Sequence, residues 1–141
     1  MQIAVIYWSG SGNTEAMANA VAEGASAAGA AVSLLPVSEI DALSAARYDA
    51  LALGCPAMGA EVLEECEFEP FFTELEPKLG GKKMALFGSY GWGDGQWMRD
   101  WQERTENAGA QLCQDGLTVH ETPDDEDLTR CRALGSALAG I

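Results

Sequence analysis

Short apolar runs alternate with longer segments of mixed polarity along the whole chain. Runs rich in alanine, valine, isoleucine and leucine predict β-strands at residues 3–8, 31–35, 50–54 and 83–88, with an interrupted pair at 110–113 and 117–119. The intervening segments have the spacing of amphipathic helices, which we predict at 14–28, 42–46, 70–79, 96–108 and 126–138. Because the strands are nearly continuous apolar runs, both faces of their sheet must be covered by helices.

This alternation predicts an α/β fold, a doubly wound parallel sheet of five strands with helices on both faces. The chain has 141 residues and no repeat, linker or low-complexity segment, so we expect a single domain over residues 1–141. In such a sheet, ligands bind beyond the carboxyl ends of the strands. Three loops there have unusual compositions: loop A, residues 9–14 (SGSGNT), loop B, residues 54–61 (GCPAMGAE), and loop C, residues 88–95 (GSYGWGDG).

Loop A has the composition of a phosphate site. It precedes a predicted helix, whose start presents unpaired N–H groups and a partial positive charge. The loop has no lysine or arginine: Asn13 occupies the place of the P-loop lysine, and Glu15 that of the third glycine in a dinucleotide fingerprint. A single phosphate monoester therefore fits better than either nucleotide motif. From this loop alone, an ordinary serine- and glycine-rich turn that caps the helix is the alternative.

The charge balance limits the partners. Eight basic residues against 22 acidic ones give a formal net charge of −14, which disfavours nucleic acid and anionic membranes and favours basic proteins. The four cysteines include no C-x-x-C pair, so we expect no metal site and no disulfide framework, and we interpret Cys55 as structural. We find no signal peptide and no apolar run that could span a bilayer, so we expect a reducing cytoplasm.

Two side chains in the loops suggest a flat ligand. Trp92 lies between glycines in loop C, where an indole is better placed to stack on a ligand than to fill a core, and Met58 in loop B is suited to contact a ring face. Core packing is the alternative for both. Trp97 and Trp101 are one helical turn apart and are predicted to pack in the core. His120 has no visible metal or triad partner, and we interpret it as an exposed or strand-end histidine and not a catalytic one.

Taken together, the three loops and their order resemble the flavodoxins, specifically the short-chain type of anaerobic bacteria. The most specific segments are YWSGSGNTE at residues 7–15, GCPAMG at 54–59 and LFGSYGWG at 86–93, and the likeness extends over residues 1–141. The resemblance implies the strand order 2-1-3-4-5, with FMN as the cofactor. It also implies a monomeric, low-potential one-electron carrier, and not an enzyme, that shuttles between semiquinone and hydroquinone for redox partners with basic docking surfaces.

The resemblance further implies which residues bind FMN. Loop A would hold the phosphate, while Met58 and Trp92 would flank the isoalloxazine ring. Glu61 would accept a hydrogen bond from the flavin N3–H, and the backbone at Gly91 would contact the pyrimidine end. The carbonyl of Gly59 would turn toward N5 on one-electron reduction. The expected cofactor-binding residues are Ser9, Gly10, Ser11, Gly12, Asn13, Thr14, Pro56, Ala57, Met58, Gly59, Ala60, Glu61, Ser89, Tyr90, Gly91 and Trp92.

Two positions depart from the pattern, and two other functions are alternatives. Pro56 removes a hydroxyl that some relatives present to the phosphate, and Ala60 replaces a polar residue. An FMN-dependent NAD(P)H:quinone-type reductase on the same fold would usually carry longer loops and an oligomer interface. A receiver-type signalling domain would need acidic residues after the first strand and an aspartate after the third. The chain has YWS and GCP at those places, which disfavours the receiver.

Overall fold

Strands and helices alternate in the structure, a computed structural model that describes residues 1–140. Two 3₁₀ helices occur, at Val37–Glu39 and Glu76–Lys78. The remaining elements are β1 (Gln2–Tyr7), α1 (Asn13–Ala27), β2 (Ala31–Pro36), α2 (Ala42–Ala45), β3 (Ala50–Gly54), α3 (Phe68–Leu75), β4 (Lys83–Tyr90), α4 (Gln96–Asn107), β5 (Gln111–Leu112), β6 (Leu117–His120) and α5 (Asp125–Ala139). The alternation predicted from the apolar runs is therefore confirmed.

The strands form one parallel sheet in the order β2-β1-β3-β4-β5, and β6 also pairs with β4. The expected order is confirmed, with one additional strand. β5 pairs with the start of β4, at Lys83 and Met84, and β6 pairs with its end, from Phe87 to Tyr90. Between β5 and β6 the chain leaves the sheet, where the Gly116 N–H donates to the side chain of Gln102 at 2.9 Å. This departure from the sheet corresponds to the interruption predicted between residues 110–113 and 117–119.

Helices cover both faces of the sheet, as the apolar strands require. In β1, Ile3 and Val5 pack in the cluster that includes α1 and α5. The alternate residues Ala4 and Ile6 pack in the cluster that includes α2, α3 and α4. All four side chains are fully buried. This double burial explains why the strand is a continuous apolar run.

Helix α3 differs from its predicted range of 70–79. It begins at Phe68 because the buried carboxylate of Glu64 accepts hydrogen bonds from the N–H groups of Cys66, Glu67 and Phe68, at 2.7 to 2.9 Å. It gives way to a 3₁₀ turn after Leu75, because Pro77 has no N–H and its ring opposes the carbonyl four residues earlier. Among the described residues, no helix has both the length and the hydropathy needed to cross a bilayer.

Candidate functional site

The three loops meet at the carboxyl edge of the sheet. The N–H of Ala57 in loop B donates to the carbonyl of Ser89 at 3.0 Å, and the hydroxyls of Thr14 and Ser89 lie 3.1 Å apart. The carboxylate of Glu61 in loop B lies so close to Gly93 in loop C that a side chain at Gly93 would collide with it. These contacts place all three loops around one site, as the carboxyl ends of adjacent parallel strands require.

Loop A turns sharply from β1 into α1. Gly12 is the N-cap residue and has φ of +94°, a backbone conformation that glycine adopts at little cost. The Ser9 hydroxyl accepts hydrogen bonds from the N–H groups of Gly12 and Glu15, each at 3.2 Å. In the part of the chain that the structure describes, the N–H groups of Gly10 and Ser11 donate to no protein atom. Loop A therefore presents free backbone donors at a helix start, as an anion requires.

A cavity of about 480 Å³ lies beside loop A. Its walls are Tyr7, Trp8, Ser9, Gly10, Ser11, Gly12, Glu15, Pro36, Val37, Ser38 and Glu67, so no lysine or arginine lines it within residues 1–140. Tyr7 donates to Glu15 at 3.0 Å, and burial together with this bond raises the pKa of Tyr7. The indole N–H of Trp8 donates to Glu67 at 3.3 Å. The surroundings of loop A are thus neutral to acidic.

Loop B contains a tight turn and a carboxylate oxygen without a partner. The Glu61 N–H donates to the carbonyl of Met58 at 2.8 Å, so Gly59 and Ala60 form the corner of a β-turn. Glu61 itself has a φ of +53°, which is uncommon for a residue other than glycine. Its Oε1 atom is buried and accepts no hydrogen bond from the described chain. A buried acceptor without a donor is costly, so this oxygen is suited to a donor group on a ligand.

Loop C begins later than predicted. Strand β4 extends through Ser89 and Tyr90, so these two expected site residues lie in the sheet, next to β6, and not in the loop. Trp92 is 64% exposed, which excludes core packing for it. Met58 in loop B is half-buried. An exposed indole and a half-buried thioether leave ring-binding surface available at the site.

The remaining expected site residues have simpler surroundings. Asn13 is half-buried at the start of α1, and its side chain makes no hydrogen bond within the described chain. Pro56 and Ala57 are half-buried in loop B, whereas Gly59 and Ala60 at the corner of its turn are exposed. The N–H of Thr14 likewise donates to no protein atom in residues 1–140.

A buried tryptophan of α4 bonds to the backbone of loop B. The indole N–H of Trp97 donates to the carbonyl of Cys55 at 3.1 Å, and Trp97 and Trp101 are each 1% exposed, as predicted. Burial raises the pKa of the Cys55 thiol to about 12, so it stays protonated at neutral pH. The interpretation of Cys55 as structural agrees with this environment.

Sequence reasoning missed two contacts to loop C. The imidazole of His120 lies 3.1 Å from the carbonyl oxygen of Gly91, and the guanidinium of Arg99 donates to the carbonyl and carboxylate of Asp94 at 2.9 and 3.0 Å. Glycine-rich spacing marks the loop, but no sequence signal connects His120 to it. The pairing of β6 with the end of β4 brings the two together.

The chain also resembles proteins of known family. The family model described as Flavodoxin matches residues 5–135. A flavodoxin of Megasphaera elsdenii is 49% identical over 97% of this chain and 98% of its own length, and one of Clostridium beijerinckii is 47% identical over 97% and 99%. The solution structure of two-electron reduced Megasphaera elsdenii flavodoxin superposes with a TM-score of 0.89 at 48% identity, covering 99% of both chains. A flavodoxin from the domain Archaea has a TM-score of 0.90 at 29% identity, covering 99% of this chain and 97% of that one.

Proposed function

This chain belongs to the flavodoxin family and is therefore an FMN-binding electron carrier and not an enzyme. We propose that loops A, B and C, which belong to a single domain, hold the cofactor. When bound, FMN supplies the reversible uptake and release of electrons. The protein supplies binding, orientation and electrostatic surroundings. The observation that carries the proposal is the partnerless Glu61 Oε1, which lies against Gly93, together with the exposed indole of the neighbouring residue Trp92, since a flavin offers both an N–H donor and a flat ring.

Loop A holds the phosphate with neutral groups. The free N–H groups of Gly10, Ser11 and Thr14 and the positive end of the α1 dipole favour an anion there. The Ser9 hydroxyl holds the loop in this shape through its bonds to the N–H groups of Gly12 and Glu15. Pro56 offers no hydroxyl to the phosphate, so the hydrogen-bond donors of loop A bind it.

Loops B and C hold the ring. Trp92 covers one face and Met58 the other, which excludes water from both. Glu61 accepts the ring N3–H through Oε1, and Gly93 has no side chain that would push this carboxylate away. The backbone at Gly91 contacts the pyrimidine end. Tyr90 and Ser89 set the position of loop C from the end of β4.

The same surroundings favour a low-potential, one-electron carrier. Glu15 and Glu67 line the cavity beside the phosphate, and the chain as a whole carries a formal charge of −14. Two like unit charges 4 Å apart repel by about 4 kcal/mol at an effective dielectric constant of 20, and by less at greater distance or in salt. With no lysine or arginine beside loop A in the described residues, added negative charge on the ring is not compensated there. The last electron is therefore held weakly and donated readily.

The acidic surface around the site suits partners with basic docking surfaces. Exposed carboxylates at Glu65 and Glu67 follow loop B along the chain, and Glu67 also lines the cavity beside loop A. Charges of this kind speed the encounter with an oppositely charged protein, and salt suppresses the effect. An electron-transfer rate to a basic haem protein that falls with ionic strength supports this surface. A rate independent of salt contradicts it.

The protein acts as a monomer in a reducing compartment such as the cytoplasm. In residues 1–140 the exposed large apolar side chains are Met1, Leu43, Val62 and Trp92, too few to form an extensive apolar interface. The four cysteines are free thiols, as in a reducing compartment. Sedimentation equilibrium that gives the mass of a dimer contradicts the monomer.

Titration of the cofactor-free protein with FMN tests the site. We expect one FMN per chain, a yellow complex and quenched tryptophan fluorescence. Replacing Trp92 with alanine removes one stacking surface and is expected to weaken binding about fivefold, from roughly 1 kcal/mol for an aromatic pair, whereas Trp92→Phe retains most of the affinity. Leu43→Ala, an exposed apolar side chain in α2, serves as the control. Failure of the wild-type protein to bind FMN contradicts the proposal, and so does unchanged affinity in Trp92→Ala.

A further inference from the structure

We propose that His120 is a positioning residue that holds loop C through the carbonyl of Gly91. His120 is the single histidine of the chain, and its side chain is 58% exposed at the end of β6. Its Nε2 atom lies 3.1 Å from the carbonyl oxygen of Gly91. Because a carbonyl can only accept, the imidazole donates from Nε2–H.

The imidazole is held in place by the sheet and by an aromatic ring. His120 pairs with Tyr90 in the parallel register of β6 and β4, and the two rings lie 5.1 Å apart between centroids. The next residue, Glu121, adopts φ of +61° and donates its N–H to the carbonyl of Tyr90 at 2.8 Å. The Tyr90 ring in turn lies 5.6 Å from the buried Trp97. The rings of Trp97, Tyr90 and His120 thus lie in a row, with Trp97 buried in the core and the imidazole exposed at the surface.

The charged group nearest to the imidazole does not replace Gly91 as its partner. The Glu121 carboxylate is 3.7 Å from Nε2, beyond hydrogen-bond distance, and is 65% exposed. The other titratable side chain next to the imidazole is the phenol of Tyr90, which ends β4, the strand that leads into loop C. The carbonyl of Gly91 is therefore the acceptor that the imidazole N–H reaches.

Loop C is held at both ends by side chains from outside it. His120 bonds the carbonyl at its start, and Arg99 of α4 bonds the carbonyl and carboxylate of Asp94 near its end. Between these two contacts lie Trp92, which is 64% exposed, and Gly93, whose φ is +88°. Apart from the Glu61 carboxylate beside Gly93, this segment has little packing to keep it in one conformation. The two side-chain contacts supply that restraint.

The restraint prepares the loop for the cofactor, a role that rests on the proposed function of loop C. If the backbone at Gly91 and the ring of Trp92 are ordered before binding, the entropy of ordering them is lost on folding and not on binding. Without the His120 bond, the binding-competent loop is populated for only part of the time, and the apparent affinity falls by that fraction. One net hydrogen bond corresponds to roughly a two- to tenfold change in population.

Two variants distinguish the contribution of the imidazole N–H donor from the contribution of the aromatic ring at position 120. His120→Phe keeps a ring against Tyr90 and removes the N–H donor, whereas His120→Gln keeps an N–H donor of similar reach and removes the ring. In the cofactor-free protein, the ¹H–¹⁵N heteronuclear NOE of Gly91, Trp92 and Gly93 reports the order of loop C on the picosecond to nanosecond timescale. The same measurement at the centre of β4 serves as the internal control for folding.

We expect His120→Phe to lower the NOE values in loop C and to weaken FMN binding roughly two- to tenfold. His120→Gln is expected to restore both to within a factor of two of wild type. Wild-type NOE values and affinity in His120→Phe overturn the proposal, as does a His120→Gln variant as impaired as His120→Phe, which would assign the effect to the ring. If the wild-type protein binds no FMN, the proposed function fails while the NOE comparison still decides the role of His120.

Discussion

The hydroxyl oxygens of Thr14 and Ser89 lie 3.1 Å apart, although 75 residues separate them in the chain. Thr14 is 1% exposed and Ser89 is 4% exposed, and the N–H of Ser89 also points to the Thr14 hydroxyl at 3.4 Å. Thr14 belongs to the first turn of α1, and Ser89 to the carboxyl end of β4. This pair therefore sets the distance between loop A and loop C, which must hold opposite ends of the same cofactor.

Replacing Thr14 with valine should destabilise the protein. Valine has the same shape but leaves the buried Ser89 hydroxyl without its partner, which costs about 1–3 kcal/mol. Urea denaturation of the cofactor-free protein measures the loss, and Thr14→Ser should retain most of the stability. Thr129→Val is the matched control, because the Thr129 hydroxyl is exposed and bonds only within α5. Equal stability of Thr14→Val and wild type would show that the pair contributes nothing.

The turn in loop B should control the spacing of the two one-electron potentials. A side chain at Gly59 would meet no atom within 4 Å, so Gly59→Thr acts through backbone stiffness and not through a clash. The resemblance to the flavodoxins implies that the Gly59 carbonyl turns toward the cofactor on one-electron reduction, so we expect this variant to destabilise the one-electron-reduced state. Each potential should move toward the other by several tens of millivolts, the equivalent of about 1 kcal/mol, so the separation should shrink by about twice that amount. Spectroelectrochemical titration gives both potentials, and an unchanged separation refutes the account.

Ala60 provides the opposite test of the same turn. Neither Gly59 nor Ala60 has a positive φ in the structure. Turning the peptide between them over converts the turn to type II, which requires a positive φ at Ala60. Ala60→Gly removes that cost, so the separation of the two potentials should widen. A smaller separation of the two potentials in Ala60→Gly would contradict the assignment of the conformational cost to a positive φ at Ala60.

Acid should weaken the start of α3 through Glu64. Burial raises the pKa of Glu64, but hydrogen bonds from the N–H groups of Phe68, Glu67 and Cys66 outweigh it and hold the pKa below its ordinary value. A depressed folded-state pKa contributes stability that is present above the ordinary pKa, about 4.3, and is lost as the pH falls through the folded-state value.

Glu64→Gln should therefore cost about 1–3 kcal/mol of unfolding free energy at pH 7. Its deficit relative to wild type should shrink as the pH falls below about 4. Denaturant titrations over pH 3 to 7 measure both quantities. Glu65→Gln, at an exposed neighbouring carboxylate, should change stability by less than about 0.5 kcal/mol. A deficit that does not depend on pH would exclude ionisation as the cause.

The cysteines should react with a thiol reagent in a defined order. Cys66 is exposed, whereas burial raises the pKa of Cys55 to about 12 and that of Cys131 to about 11. At pH 8, Cys66 should react with an aromatic disulfide reagent first, and Cys55 and Cys131 only when the protein opens. Cys66→Ser should abolish the fast phase. A fast reaction at Cys55 would contradict its structural role.

The limits of prediction from sequence are clearest in loop C. Its glycines and Trp92 mark it as a loop, yet Ser89 and Tyr90 belong to β4. Strand β4 continues through them because β6 pairs alongside, and that pairing involves residues thirty positions away. A local pattern contains no information about a partner at that distance. Helix α3 shows a different limit: Glu64 is close in sequence to the helix start, but the sequence does not reveal that its carboxylate is buried and accepts the N–H groups there.

The amino-acid sequence by itself determined the parallel α/β sheet, the order of the three loops along the chain and the neutral chemistry of loop A, because these follow from hydrophobic periodicity and from the residue types within each loop. Only the tertiary structure decided which side chains meet there. It set Thr14 against Ser89, His120 against Gly91 and Glu61 against Gly93. Each of these contacts joins residues at least 29 positions apart. Strand pairing and helix packing create such proximity, and no local preference of the chain specifies it.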